Sequence, residues 1–164
     1  ARSVNNNGGY YVGRYEVSIG SDGKAQSKTD GTNIESATVA EDSANTWYGL
    51  YALCKTYITP SVKSSMIWGS QYDAMMTWMG NEANIAVSGY NTTRYPGYQE
   101  TDIIKNVYDL YGNSREWTLE AVNTSSRVIR GGIYNISISP STRYNGNPST
   151  YSIYASSRLA LYIV

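Results

Sequence analysis

The chain carries 17 tyrosines and 4 tryptophans but no phenylalanine. This imbalance limits the fold more than any other feature. A tyrosine ring adds apolar area to a core, but its hydroxyl seeks a partner once buried. At 164 residues the chain fits one domain and is long enough to build a real core. Some tyrosines must therefore stand in that core where phenylalanine would serve. The others are expected on an exposed surface.

The rest of the composition removes whole classes of chemistry. Histidine is absent and cysteine occurs once, as Cys54. Disulfides cannot hold such a chain, and Cys54 reads as a small buried hydrophobe on a helix. Without histidine the usual general base, zinc ligand and partner of a nucleophile are missing. Lys plus Arg equals Asp plus Glu at 13 each, which argues against nucleic acid as a partner. No apolar run approaches the roughly 18 residues that span a bilayer, so no membrane insertion is expected. The first residues, ARSVNNNGG, lack a signal-peptide layout and do not begin with Met, as in a processed or truncated piece.

The chemistry narrows further toward the C-terminus. From residue 133 to 164, 17 of 32 residues are Ser, Thr, Asn or Tyr. Arg143 and Arg158 are the charged residues there, with no Asp or Glu. An apolar run into Gly131 and Gly132 precedes this segment, and a regular strand pattern over residues 157–164 closes it. The pattern predicts fixed ends that bracket a middle left for contact.

Read in order, residues 10–19 form a strand candidate, with Asp22 and Gly23 as a turn. Residues 21–40 read as a loop, with room for a short strand at its end. Trp47, Leu50, Tyr51, Cys54, Tyr57 and Ile58 fall at helical spacing, with Asp42 or Ser43 as the cap and Thr59–Pro60 as the stop. A second helix follows the strand-like 66–68 triplet, with Ser70 and Asp73 as a capping box. Tyr72, Met75, Met76 and Met79 form its buried stripe, and Gly80 ends it. Residues 81–101 read as a loop whose Tyr90, Tyr95 and Tyr98 are candidates for a second contact patch. Residues 107–119 predict a turn and a strand, and 127–132 another short strand. Two helices and several short, mostly antiparallel strands in mixed order define an α+β domain over residues 1–164.

Three segments resemble one family. Residues 9–17, GYYVGRYEV, resemble an opening strand of the form hydrophobic-x-x-G-x-x-E-V-T. Residues 109–117, DLYGNSREW, resemble N-x-x-G-N-V-W-E-W. Residues 127–132, RVIRGG, followed by Ser157, Arg158 and Leu159, resemble R-V-x-R-G-G-S-W and a terminal G-F-R. These marks are similar to those of the formylglycine-generating, or sulfatase-modifying, enzymes. The resemblance implies a C-type lectin fold of the formylglycine-generating enzyme subtype.

The enzymatic equipment implied by the resemblance is missing. The family's enzyme uses a cysteine pair near its C-terminus that binds copper, whereas this tail has no cysteine. Related iron enzymes of this fold use histidines, and this chain has none. The expectation is therefore a non-enzymatic protein that requires no cofactor. The tail resembles the variable region of retroelement-diversified proteins, in which mutation at adenines replaces Asn codons after R-G-G. That resemblance implies a variable region of about 133–157. Tyr134, Asn135, Ser137, Ser139, Tyr144, Asn145, Asn147, Tyr151, Ile153 and Tyr154 suit its residue set, and Arg143 lies among them. Tyr gives contact area with few rotatable bonds, and Ser and Asn give adaptable hydrogen bonds.

The expected partner is a protein or glycan on a target cell surface. The expected setting is a virion tail of a phage or prophage, or a bacterial surface. The number of assembled copies is not legible. In the resembling enzymes, the positions of Asp109, Gly112, Ser114 and Glu116 hold a structural Ca²⁺, and oxygen ligands of this kind suit that ion. Without the ion, Glu116 would pair internally with Arg130 or Arg158. Arg115 departs from the family pattern, which has an apolar or aromatic residue there. Two other readings stay open: an enzyme of the same fold with different chemistry, predicting a deep pocket with a perturbed carboxylate, and a structural tail-assembly module.

Overall fold

The computed structural model describes residues 5–6, 8–29, 38–39, 42–43, 46–80, 96–98, 103–133, 136, 138–152 and 154–164. The strands are β1 (Tyr11–Glu16), β2 (Ser18–Ile19), β3 (Ala25–Gln26), β4 (Thr38–Val39), β5 (Asp42–Ser43), β6 (Ile58–Thr59), β7 (Val62–Met66), β8 (Ile103–Ile104), β9 (Val107–Tyr108), β10 (Arg115–Asn123), β11 (Ser126–Arg130), β12 (Arg143–Gly146) and β13 (Ala155–Ile163). The helices are α1 (Trp47–Cys54) and α2 (Gly69–Met79). This is the expected α+β arrangement, with mostly antiparallel pairs. One pair, β10 with β13, is parallel.

β13 is the centre of a seven-stranded sheet ordered β12-β11-β10-β13-β7-β6, with β1 also on β13. Ser157 pairs with Trp117 of β10, and its carbonyl accepts from the Val17 amide at 2.8 Å. Leu161 pairs with both Ser64 of β7 and Tyr11 of β1. β1 therefore runs along one edge of β13, while β10 and β7 share the other in tandem. Ile67 links those two, donating to the Arg158 carbonyl and accepting from the Leu119 amide, each at 3.0 Å.

Successive extended residues face opposite sides of a sheet. Met66 joins one core, with Leu50, Leu53 and Cys54 of α1 and with Trp117 and Leu159. Ile67 joins the other, with Tyr72, Met75 and Met79 of α2 and with Leu110 and Tyr111. Tyr72 and Tyr111 are the core tyrosines that the missing phenylalanine demands, at 0% and 2% exposed. Burial pushes the Cys54 thiol up to about 12, in keeping with an inert core cysteine.

The helix boundaries depart from the sequence pattern. Thr46, not Asp42 or Ser43, caps α1, its hydroxyl accepting from the Gly49 amide at 3.1 Å. Asp42 and Ser43 lie in β5, paired with β4. α1 stops at Cys54 because Lys55 and Thr56 turn back onto the carbonyls of Ala52 and Leu53. The β6–β7 hairpin then takes Ile58, so Tyr57 and Ile58 are exposed instead of extending the helical face. The box at α2 is made by Gln71, whose side chain accepts from the Trp68 amide at 2.9 Å. Ser70 is exposed, and Asp73 pairs with arginines across the sheet. Gly80, at φ 64°, ends α2 as expected.

Candidate ligand-binding face

A buried polar frame carries the C-terminal segment. Glu116 and Arg158 are both 0% exposed. Arg158 donates from Nε to Glu116 Oε1 at 3.1 Å and to Oε2 at 3.2 Å, and from Nη2 to Oε1 at 2.5 Å. Its remaining donors reach the carbonyls of Gly13, Arg14 and Tyr108 at 2.9, 3.0 and 2.7 Å. Burial opposes the charge on Arg158, but the Glu116 carboxylate outweighs it and holds the guanidinium above its ordinary value. Of the two arginine partners that the sequence offered Glu116, the structure selects Arg158.

Gly131 and Gly132 fix the other end. Gly131 has φ 80°, a left-handed conformation that favours glycine. The Gly132 amide donates to the Leu110 carbonyl at 3.2 Å, and a Cβ on Gly132 would overlap the Tyr111 carbonyl. The backbone of the 109–114 turn therefore lies directly against the glycine pair. Arg130 is 1% exposed, with Tyr72 beneath its guanidinium at 4.7 Å and Asp73 Oδ1 at 2.8 Å from Nη2.

The middle of the segment runs along the sheet margin. β12 is the outermost strand, pairing Ile129 with Tyr144 and Arg130 with Arg143. Alternation divides the expected contact set between two faces. Arg143 is exposed on the α2 side and held by Asp73 Oδ2 and, at 3.4 Å, by Glu120 Oε2. Asn145 shares that side and is exposed. Tyr144 is half-buried on the other side, in the row of Trp117 and Ile129. Gly146 lies on the same side, and a Cβ there would press on the Trp117 ring.

Two turns flank β12. Ser139 accepts through its carbonyl from the Thr142 amide at 2.9 Å, and its hydroxyl lies 2.7 Å from that of Ser141. Asn147 is exposed; its carbonyl accepts from the Thr150 amide, and its side chain accepts from the Ser149 amide at 2.9 Å. Pro148 is buried and its carbonyl accepts from the Trp47 amide at 3.1 Å, tying this turn to the start of α1. Beyond it Tyr151 is 53% exposed and Tyr154 39% exposed. Tyr134, Asn135, Ser137 and Ile153 lie outside the described residues.

Arg115 joins the face, although its residue type alone did not place it there. Its amide donates to the Tyr154 carbonyl at 2.8 Å, and its guanidinium lies over the Tyr144 ring at 4.6 Å. Its appearance where the resembling family has an apolar or aromatic residue was the available signal. Ile136, 49% exposed, also belongs to this region. Tyr98 of the second candidate patch is exposed, while Tyr90 and Tyr95 lie outside the described residues.

The calcium set fits its role poorly in this conformation. Glu116 commits both carboxylate oxygens to Arg158. Asp109, at φ 64°, accepts the Gly97 amide on Oδ2 at 2.6 Å. Among the described residues, no group of three or more His, Cys, Asp or Glu side chains is arranged to hold a metal ion. Around the same turn, Glu16 accepts from Asn113 Nδ2 at 2.6 Å and from the Ser114 amide at 3.0 Å. Burial, reinforced by the charges of Asp109 and Glu116, pushes the Glu16 carboxyl well above its ordinary range. It is only 1% exposed, so this perturbed acid is sealed inside the frame.

No protein-family model matches the chain. No curated protein matches it in sequence. Among solved structures, the chain is similar to CarF, with a TM-score of 0.53 at 14% identity over 73% of this chain. The match spans 66% of the CarF chain. At this identity the likeness concerns the fold alone.

Proposed function

We propose that the chain is a non-enzymatic ligand-binding domain on a C-type lectin scaffold of the formylglycine-generating enzyme type. Its contact face is formed by the described Tyr, Asn and Ser residues of 139–154 together with Arg115. The observation that carries this reading is the contrast within one segment. Tyr151, Tyr154, Asn145 and Asn147 are exposed, while Arg130, Gly131 and Gly132 before them and Ser156, Ser157 and Arg158 after them are buried. The exposed side chains between such anchors can change without disturbing the core. Rigid tyrosines with short polar neighbours make contact area at low entropic cost. The chemistry suits a protein or glycan on a target surface, presented from a phage or prophage tail or a bacterial surface, with the segment diversified by a retroelement.

The gene provides the test of diversification. We expect a reverse transcriptase gene beside a near-copy of the 3′ coding end, differing only at adenines. A missing near-copy, together with an invariant segment in sister genes, overturns the diversified reading. Contact is tested separately by panning the protein on bacterial surface extracts. Tyr144→Ala and Tyr154→Ala should each weaken capture about tenfold or more, as expected of aromatic anchors. Unchanged capture in both overturns the assignment of the face.

A further inference from the structure

A groove of about 570 Å³ lies between β1, α2 and the β8–β9 hairpin, lined by Tyr10, Tyr11, Arg14, Trp78, Lys105 and Asn106 among others. None of these residues belongs to the C-terminal contact segment. Its volume is within the usual range of small-ligand sites. Met75 and Val107 give it a buried apolar floor, while Tyr11 and Trp78 stand at its rim, 63% and 56% exposed. Its two charged lining residues are both cations, and neither is in an ion pair among the described residues.

Both cations are held in place by uncharged groups. Lys105 and Asn106 take φ 46° and 70°, the two left-handed positions of a tight hairpin turn. That turn brings Lys105 Nζ to the Trp78 carbonyl at 2.8 Å and over the Trp78 ring at 5.3 Å. Arg14 lies against the stacked pair Tyr15 and Tyr108, 5.4 and 5.1 Å from their centroids. An ammonium has three donors and a guanidinium five. One contact from Lys105 and a long 3.5 Å contact from Arg14 to the Tyr108 hydroxyl leave most of them for a ligand.

We propose that this groove is a second binding site, distinct from the C-terminal face, for a sugar ring bearing a carboxylate. The carboxylate meets Lys105 and Arg14 through charge-assisted hydrogen bonds. The rings of Tyr11 and Trp78 supply apolar faces for the sugar's C–H surface. The tyrosine hydroxyls and the Asn106 amide can pair with ring hydroxyls. Because the cations are already positioned, little ordering remains for binding.

The test is a titration of the full chain with methyl β-D-glucuronide and its neutral counterpart methyl β-D-glucoside, read at the indole N–H resonance of Trp78. The glucuronide should give a saturable shift and bind about tenfold more tightly than the glucoside. Lys105→Gln and Arg14→Gln should each weaken the glucuronide about tenfold without changing the glucoside, and Tyr154→Ala should leave both unchanged. Equal affinity for the two sugars, no saturable shift, or indifference to both cation substitutions overturns the proposal. Tighter binding of an acetylated Glu-Gly-Glu peptide than of the glucuronide also overturns it and assigns the groove to acidic peptide.

Discussion

Arg158 and Glu116 share three hydrogen bonds, and both side chains are fully buried. Arg158 comes from the central strand, and Glu116 from the strand parallel to it. Removing one partner of a buried pair leaves the other charge uncompensated, at a cost of about 3–5 kcal/mol. Glu116→Gln should therefore lower stability by about that amount in urea unfolding. The Glu116→Met/Arg158→Met double variant should lose less than the sum of the two single variants. It should still fall below the parent, because the carbonyls of Gly13, Arg14 and Tyr108 lose their donor. Strict additivity would show that the pair is not coupled.

Glu16 gives the stability a pH dependence of defined sign. Burial, the largest cause, holds the folded carboxyl well above the ordinary carboxylate range. The folded state therefore holds this proton more tightly than the unfolded chain. The associated stability is full below the unfolded value and declines as pH rises toward and through the raised folded value. Melting temperature followed upward from pH 4.5 should fall more steeply in the parent than in Glu16→Gln. Parallel curves would locate the dependence elsewhere.

Gly132→Ala should be among the most damaging small substitutions. Its Cβ would overlap a backbone carbonyl, which cannot rotate aside as a side chain can. A loss of about 2 kcal/mol or more is expected, with the 109–114 turn displaced. Gly9→Ala is the control, since a Cβ there meets nothing within 4 Å. It should stay within about 0.5 kcal/mol of the parent. Similar unfolding midpoints for the two variants would contradict the close approach.

Calcium should not stabilise the fold. A site whose main carboxylate already holds a guanidinium gains little from a cation, and a ligand raises stability only by binding the native state. Melting temperature should be the same in calcium as in chelator. A calcium-dependent rise, lost in Asp109→Asn, would show that the Glu116 side chain releases Arg158 to accept the ion.

The sequence was most legible where one local rule sufficed. The α2 stripe, the Gly80 stop, the Asp22–Gly23 turn and the core role of Cys54 follow from period, backbone freedom and burial. The boundaries of α1 did not, because pairing of β6 with β7 captures Ile58 from a helical pattern. The capping residues are not legible in the sequence either. Several residues near each helix start had suitable side chains, and only tertiary geometry chose Thr46 and Gln71. At the candidate face, composition singles out the segment as a candidate but does not show its two sides. The split between Arg143 and Tyr144 depends on the register of β12 against β11, which residue type does not encode. Arg115 became visible as a contact residue only once that register placed Tyr144 beneath it.

The position of β13 in the chain has a consequence for biosynthesis. This strand follows residues 133–154 in sequence, yet β1, β7 and β10 all pair with it. A ribosome must therefore finish residues 133–154 before the strand that organises the sheet emerges. A frameshift or premature stop anywhere in that segment removes β13 and leaves three strands without their common partner. Such products cannot complete either core and expose unpaired edges that favour aggregation. Substitutions at exposed positions of the segment, such as Asn145, Asn147 and Tyr151, leave β13 in place. The order of elements thus makes completion of the sheet depend on the reading frame holding through the segment that precedes β13.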